Sequence, residues 1–142
     1  MHSMFANCYS LRIIKFPEVF NTSNAEVMYA MFFYCKSLIF LNLSFFDISK
    51  ITIINNMFKN CHNLKYLDIS NFSKTVYEIY YTFYNLSSLI FLNMRSFSFG
   101  NRIDTHAFSL INPNLIFCAS RNSMKDYLIE NGINNNCSHI CF

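Results

Sequence analysis

The chain has 142 residues, of which 53% are hydrophobic, 18% are aromatic and only 13% are charged. Soluble domains carry roughly 25% charged residues, so this chain must bury an unusual share of its side chains, and it is too hydrophobic for intrinsic disorder. The net charge of +3, without a run of Lys or Arg, argues against a nucleic-acid partner. The most apolar window, Val27 to Cys35, is far shorter than the ~20 residues of a membrane-spanning helix, so we expect no membrane insertion by this segment.

Phenylalanine marks an internal repeat that begins near the first residues. It recurs at intervals of 27, 26, 25 and 25 residues, at Phe5, Phe32, Phe58, Phe83 and Phe108. Three residues after each phenylalanine comes a second apolar column, formed by Cys8, Cys35, Cys61, Leu86 and Ile111. Regular self-similarity at such a period is typical of repeat architectures. We expect the phenylalanines to point into one shared interior.

A second pattern, LxxLxLxxF, follows in each repeat. Its copies are Leu38, Leu41, Leu43, Phe46; Leu64, Leu67, Ile69, Phe72; Leu89, Leu92, Met94, Phe97; and a first copy Leu11, Ile14, Phe16, Val19, with Pro17 and one extra residue before Phe20. The alternation in LxL predicts a short strand with one face inward. One copy cannot bury its own apolar face, so the copies must stack. The sequence therefore predicts an α/β-type repeat, a solenoid with a short-stranded parallel sheet on one face and short turns or helical segments on the other.

These motifs resemble a known family. MFANCYSL, MFFYCKSL and MFKNCHNL, followed by LNLSFFDISKITIINNMF and LDISNFSKT, resemble the BspA-like leucine-rich-repeat surface proteins, whose mycoplasma-type repeat of about 26 residues reads MFxxCxxLxxLxLSxFxTSxVxxM. The resemblance covers roughly residues 4–114, although the fourth and fifth copies depart from the motif. It implies a cell-surface or secreted protein that binds host or matrix proteins or other cells through one solenoid face. It implies neither a catalytic centre nor a cofactor.

The chain divides into a repeat region and a different tail. We predict a leucine-rich-repeat solenoid of four repeats plus a partial fifth over residues 1–114, and a capping segment over residues 115–142. In the tail, Ser123 and Asp126 form a capping-box-like pair, and Asn131 with Gly132 supplies a stop, so a short helix is expected from about Met124 to Glu130. Since Met4 opens directly on a repeat without a preceding cap, we expect the chain to be part of a longer repeat array.

The cysteines fall into two groups with different expected roles. Cys8, Cys35 and Cys61 share one repeat position with Leu86, which favours buried free thiols over a disulfide between neighbouring repeats or a metal site. Cys118 and Cys137 flank the predicted helix, and a disulfide between them would close a loop of about 20 residues, worth roughly 3 kcal/mol. Cys137, His139 and Cys141 lack a fourth ligand, so no metal is expected.

The residues between the inward leucines should face outward and form the candidate binding surface. The first outward column is Ile13, Phe40, Tyr66 and Phe91; the next positions are Lys15, Asn42, Asp68 and Asn93, and then Pro17, Ser44, Ser70 and Arg95. From these we select Phe40, Tyr66, Phe91, Asn42, Asp68, Asn93 and Arg95 as binding candidates. Exposed aromatic rings often mark partner contacts. The alternative is that the rings only pack across strands and stabilise the sheet.

Three functions compete at this stage. The first is a non-catalytic binding module for a protein ligand at the cell surface or outside the cell. The second is an intracellular leucine-rich-repeat scaffold, favoured by free column thiols and by the lack of a signal peptide in this chain. The third, an enzyme, is not expected, because the four histidines are scattered, nucleophile motifs are missing and two glycines cannot form a phosphate loop.

Overall fold

A computed structural model of the chain describes residues 1–17, 19–73, 75–102, 104–119, 122–133 and 135–136. Within these ranges the chain forms seven strands and one helix. In chain order they are β1 (Phe40–Asn42), β2 (Tyr66–Asp68), β3 (Thr75–Glu78), β4 (Phe91–Asn93), β5 (Ser98–Arg102), β6 (Ile116–Cys118), α1 (Asn122–Glu130) and β7 (Asn135–Asn136). The main sheet has the order β1-β2-β4-β6-β7, and all its neighbouring strands are parallel.

The predicted parallel sheet of short strands is therefore present, and its register follows the sequence repeat. Leu41 pairs with Leu67, which pairs with Leu92, which pairs with Phe117. All four side chains are buried completely. The first repeat joins this sheet through a single parallel bridge between Ile13 and Phe40. The period-two pattern in LxL correctly identified the strands because one face of each is covered by the core.

One assignment in the first repeat is wrong. The sequence placed Val19 at the end of the first LxxLxLxxF copy, but Val19 is 86% exposed. Phe20 packs against the core instead, with its ring 4.8 Å from that of Phe16 and 5.6 Å from that of Phe46. The extra residue after Pro17 shifts the inward position by one, and burial of the larger ring decides the register.

The phenylalanine column lies in the interior, as the repeat predicted. Neighbouring rings stack with centroids 4.6 to 6.0 Å apart and planes within 27° of parallel, in the order Phe5, Phe32, Phe58, Phe83, Phe108. Each ring lies on the next at the spacing that aromatic pairs prefer. Phe32, Phe58 and Phe83 are buried completely, whereas Phe5 at the end of the column is only partly buried.

The arc opposite the sheet consists of turns in the described part of the repeat region. The first four repeats bend at residues with positive φ two positions before and two positions after the phenylalanine, among them Asn7, Asn60 and Asn85 after it. Four of the nine described non-glycine residues with positive φ are asparagines, which tolerate this left-handed conformation better than most residues do. Of the two alternatives for this arc, turns or helical segments, the structure therefore contains turns.

A second, smaller sheet was not predicted. Strands β3 and β5 pair in parallel, with an irregular register between Val76 and Glu78. Single bridges from Val27 to Ile53 and from Ile53 to Glu78 continue the same side into earlier repeats. The bridges are one residue long and the register of β3 with β5 is irregular, so this side leaves no regular alternating pattern in the sequence.

The tail covers the last stacked ring. The helix α1 begins at Asn122, two residues before the predicted start, and ends at Glu130 as predicted. Leu128 is buried completely, and the ring of Tyr127 lies 5.8 Å from that of Phe108. After Glu130 the chain leaves the helix through Gly132, whose φ is +83°. The N–H of Ile133 donates to the Leu128 carbonyl, as in a Schellman motif.

Two further predictions concern boundaries and membranes. β6 lies beyond the predicted repeat boundary at Asn114 and still joins the main sheet, while the division into two domains stays a prediction.

Among the described residues, no helix has the length and apolar character needed to cross a bilayer.

Candidate functional site

The aromatic residues selected from the sequence lie side by side on the outer face of the sheet. Phe40 pairs with Tyr66, and Tyr66 pairs with Phe91, in consecutive parallel strands. Their rings stack with centroids 5.0 and 4.8 Å apart and planes within 18° of parallel. Stacking at this spacing stabilises neighbouring strands. It also leaves the outer edges of the rings on the surface, where Phe40 is 41% exposed.

The same column continues beyond the residues named from the sequence. Ile13 bridges to Phe40 at one end, and Ile116 pairs with Phe91 at the other. Both isoleucines are exposed, at 58% and 41% respectively. Ile116 was missed because the fifth repeat slips around Pro113, although its place directly before the buried Phe117 was a usable signal. We call the five residues Ile13, Phe40, Tyr66, Phe91 and Ile116 the outer column.

The polar candidates form a second column beside the first, at the C-terminal ends of the strands. Asn42 pairs with Asp68, and Asp68 pairs with Asn93. Asn42 is exposed and Asp68 is half-buried, but Asn93 is buried, with its amide donating to the Asp68 carboxylate over 3.1 Å. Asn93 therefore positions Asp68 rather than lying free on the surface. Arg95 is half-buried in the turn after β4.

The phenol of Tyr66 in the outer column lies near a carboxylate. Burial, followed by the nearby Asp68 carboxylate, raises the pKa of Tyr66. The Asp68 carboxylate itself accepts a hydrogen bond of 2.9 Å from the Ser70 N–H. A phenol that stays protonated presents a hydrogen-bond donor beside two apolar rings, which suits contact with a protein surface.

A groove borders the outer column at the N-terminal ends of the strands, and the sequence analysis did not identify it. It has a volume of about 300 Å³ and is lined by Arg12, Ser37, Ile39, Asn63 and Lys65. We call these five residues the basic groove. Arg12, Ile39 and Lys65 occupy one repeat position, directly after the opening leucine, and their backbones form a ladder in which Ile39 N–H donates to Arg12 and Lys65 N–H donates to Ile39.

The cysteine column is part of the core. Cys35 and Cys61 are buried free thiols, and their Sγ atoms donate to the carbonyls of Phe5 and Phe32 in the preceding repeat, over 3.0 and 3.1 Å. Burial is the main cause that raises the pKa of Cys35 to about 11, and it raises that of Cys61 further. Thiols held in the protonated form are poor nucleophiles and poor metal ligands.

The structure describes only one residue of the second cysteine group, Cys118. Cys118 is buried at the end of β6 and is disulfide-bonded. Cys137, His139 and Cys141 lie outside the described residues, so the pairing of Cys118 with Cys137 stays a prediction. Within the described part of the chain, no group of His, Cys, Asp and Glu side chains could hold a metal ion.

The turn arc carries cations too, but its cations are engaged with rings of the same molecule. The Lys59 ammonium lies 4.0 Å from the ring centre of Tyr81, and that of Lys36 lies 4.9 Å from the ring centre of Tyr9. Such cation–π contacts stabilise the two ammonium groups within the molecule, which leaves them less available to a ligand. The strand face, where aromatic edges and cations lie open, is therefore the better candidate for a ligand.

Comparison with known proteins agrees with the repeat found in the sequence. The family described as "Mycoplasma protein of unknown function, DUF285" matches residues 1–108. Neither the curated proteins nor the solved structures contain a match to the chain.

Proposed function

Since the chain belongs to the DUF285 family, we propose that it is a non-catalytic protein-binding module of the BspA-like leucine-rich-repeat type. In this proposal the repeats form a solenoid within a cell-surface or secreted protein, which takes part in adhesion or in host or matrix protein interaction. Parallel pairing of equivalent residues in β1, β2, β4 and β6 supports the solenoid. The ligand binds the strand face.

The single observation that carries the binding proposal is the outer column. It sets three stacked aromatic rings between two exposed isoleucines, beside the polar side chains of Asn42 and Asp68. Aromatic side chains contribute a large contact area at a small cost in conformational entropy, which is why they dominate binding energies at interfaces. A monomer gains nothing from exposing these ring edges to water.

The size of the strand face limits how a ligand can bind. The five short strands of the main sheet, at ~4.8 Å spacing, present only some 200 to 300 Å² of sheet, whereas a stable interface uses roughly 800 Å² per partner. Residues beside the sheet must therefore contribute to a tight complex. The basic groove and the turn that carries Arg95 are the neighbouring surfaces within reach.

Alanine substitution of the outer column tests this proposal. We expect Phe40→Ala combined with Phe91→Ala to weaken binding to purified matrix and plasma proteins at least tenfold, because interface aromatics contribute about 2 kcal/mol or more. The matched control is Tyr29→Ala: Tyr29 is 37% exposed and stacks on His2 at 4.9 Å, but lies on the turn arc. It should lose stability and keep binding.

The alternative role of the rings gives the opposite result. If the double variant melts at a lower temperature but binds every tested protein as well as the original chain, the rings only hold the strands together. The binding proposal would then fail.

A second candidate function, an intracellular scaffold, is favoured by the free thiols of Cys8, Cys35 and Cys61, whereas the disulfide-bonded Cys118 favours an oxidising compartment. Protease treatment of intact cells that express the protein separates the two locations. Loss of the chain to an external protease supports the surface proposal, and full protection supports the scaffold.

A further inference from the structure

Among the described residues that line the basic groove, two are cations and none is a carboxylate. Arg12 and Lys65 are both exposed, and within the described residues no carboxylate lines the groove or forms a salt bridge with either side chain. The two residues lie on either side of Ile39, so their backbones are about 10 Å apart at the strand spacing of ~4.8 Å. Long side chains at this separation can converge on one anion.

The groove lies next to the outer column, where the strands β1 and β2 begin. Ile39 directly precedes Phe40, and Lys65 directly precedes Tyr66, so each of these two strands follows a groove residue and begins with a ring. One residue along a strand is about 3.3 Å. A ligand that covers the rings of Phe40 and Tyr66 therefore places its next group at the groove.

The polar groups of the groove suit a carboxylate better than a bare apolar side chain. Besides the two cations it holds the Ser37 hydroxyl and the Asn63 side chain, whose amide donates to the Lys36 carbonyl over 2.7 Å and so is held in place. The guanidinium of Arg12 can donate two parallel hydrogen bonds to one carboxylate. The ammonium of Lys65 supplies a second charge.

From this arrangement we infer that the strand face binds a peptide segment in which an acidic side chain lies within two residues of an aromatic or large apolar one. The apolar side chain packs on the outer column, and the carboxylate binds between Arg12 and Lys65. This inference rests on the proposed function and adds the class of partner. It accounts for the part of the interface that the small sheet area alone cannot supply.

Selection from a displayed library of random linear peptides tests the inference with the full chain as the target. We expect enriched peptides to combine an aromatic residue with a nearby Asp or Glu. Against the variant Arg12→Ser with Lys65→Ser, the aromatic preference should remain while the acidic preference disappears. A selected peptide should bind this variant about tenfold more weakly, and its affinity for the original chain should fall as salt is raised from ~0.1 to ~1 M.

A control variant removes the same charge elsewhere. Lys50→Ser with Lys59→Ser lowers the net charge equally but touches neither the groove nor the outer column, so the selected peptides should bind it normally. Circular dichroism confirms that both double variants are folded. Arg12, Lys65 and Lys50 are exposed, whereas Lys59 is half-buried over the Tyr81 ring, so a thermal melt of each variant accompanies the binding measurement.

Three results overturn the inference. Enriched peptides with aromatic residues but without an acidic preference refute the groove assignment and leave the proposed function standing. If no peptide is enriched on the original chain or on the groove variant, both the inference and the strand-face binding proposal fail. Binding of heparin that requires Arg12 and Lys65, without any peptide preference, assigns the groove to a sulfated polysaccharide instead.

Discussion

The two ends of the described repeat stack differ in how well their apolar side chains are covered. In the first repeat, Phe5 and Leu11 are only partly buried, because each has a neighbouring repeat on one side. In the last, Phe108 is 6% exposed and is covered by the helix α1, through Tyr127 and the fully buried Leu128. A side chain at one repeat position is therefore buried to different extents in different repeats of the stack.

This difference predicts that the repeats depend on their neighbours for stability. In a repeat protein, stability is approximately the sum of each repeat's own contribution and the interfaces with its neighbours. A buried ring such as Phe58 contacts the rings of Phe32 and Phe83 on both sides, at 6.0 and 5.7 Å. Substitutions at matched positions can measure these interface contributions directly.

The largest effect is expected at the centre of the phenylalanine column. Phe58→Ala should lower the free energy of unfolding by about 3–5 kcal/mol, because it removes a fully buried ring between two others. Phe5→Ala, at the same repeat position, should lower it by about half as much. Chemical denaturation measures both values, and equal losses would contradict the dependence on neighbours.

The next largest effect concerns the helix that covers the last repeat. Leu128→Ala should cost about 2–4 kcal/mol, since its side chain is buried completely under α1. The neighbouring Ile129 is 41% exposed, so Ile129→Ala should cost much less. If the two substitutions lower the free energy of unfolding equally, α1 does not serve as the cover of the stack.

We expect the buried thiols to lower the free energy of unfolding at alkaline pH, by less than the core substitutions above. The denatured chain releases the proton of Cys35 near the ordinary pKa of 9.0, whereas the native chain holds it until about pH 11. Stability should therefore be complete below pH 9 and fall as the pH rises toward 11 and beyond. The free energy of unfolding should fall more steeply over this range for the original chain than for Cys61→Ala, which lacks one buried thiol. Parallel curves would refute the linkage.

Reactivity toward an alkylating reagent compares the same thiols across the stack. Cys8 is partly exposed in the first repeat, while Cys35 and Cys61 are buried. Mass spectrometry of the folded protein should find Cys8 modified first, and the other two only after denaturant is added. Early modification of Cys61 would mean that the central repeats open locally.

The smallest effect is expected where α1 ends. Gly132 has a φ of +83°, and no atom lies within 4 Å of the position that a Cβ would take. Gly132→Ala should therefore cost about 1 kcal/mol through the left-handed conformation alone. Gly100→Ala serves as the comparison, because Gly100 needs no positive φ and its added methyl would lie 3.3 Å from the Tyr77 ring. No loss at Gly132 would show that the Schellman motif is dispensable.

The strands and the phenylalanine column were predictable because their spacing in the chain reflects a physical necessity. A side chain that must face the core in every repeat recurs at the same position, as Leu41, Leu67 and Leu92 do. The weaker parts of the prediction lie where the spacing changes. Near Pro17 an inserted residue moved burial from Val19 to Phe20, and near Pro113 the slip concealed Ile116.

The candidate site was predictable only in part. Alternation along the strands identified Phe40, Tyr66 and Phe91 as outward residues, because inward and outward side chains alternate in any strand. Burial of Asn93 could not be foreseen, since it depends on the position of β6 beside β4. The basic groove was missed because Ile39 interrupts the column between Arg12 and Lys65.

The sequence by itself determined the repeat, its period, the inward residues of the main sheet and the place where α1 ends. These follow from local pattern, since hydrophobic burial and turn chemistry act on every copy alike. The tertiary structure alone decided that turns form the second arc, that β3 and β5 add a small sheet, and that two separated cations line one groove beside the aromatic stack. Such features arise between repeats, where residues about 25 positions apart become neighbours.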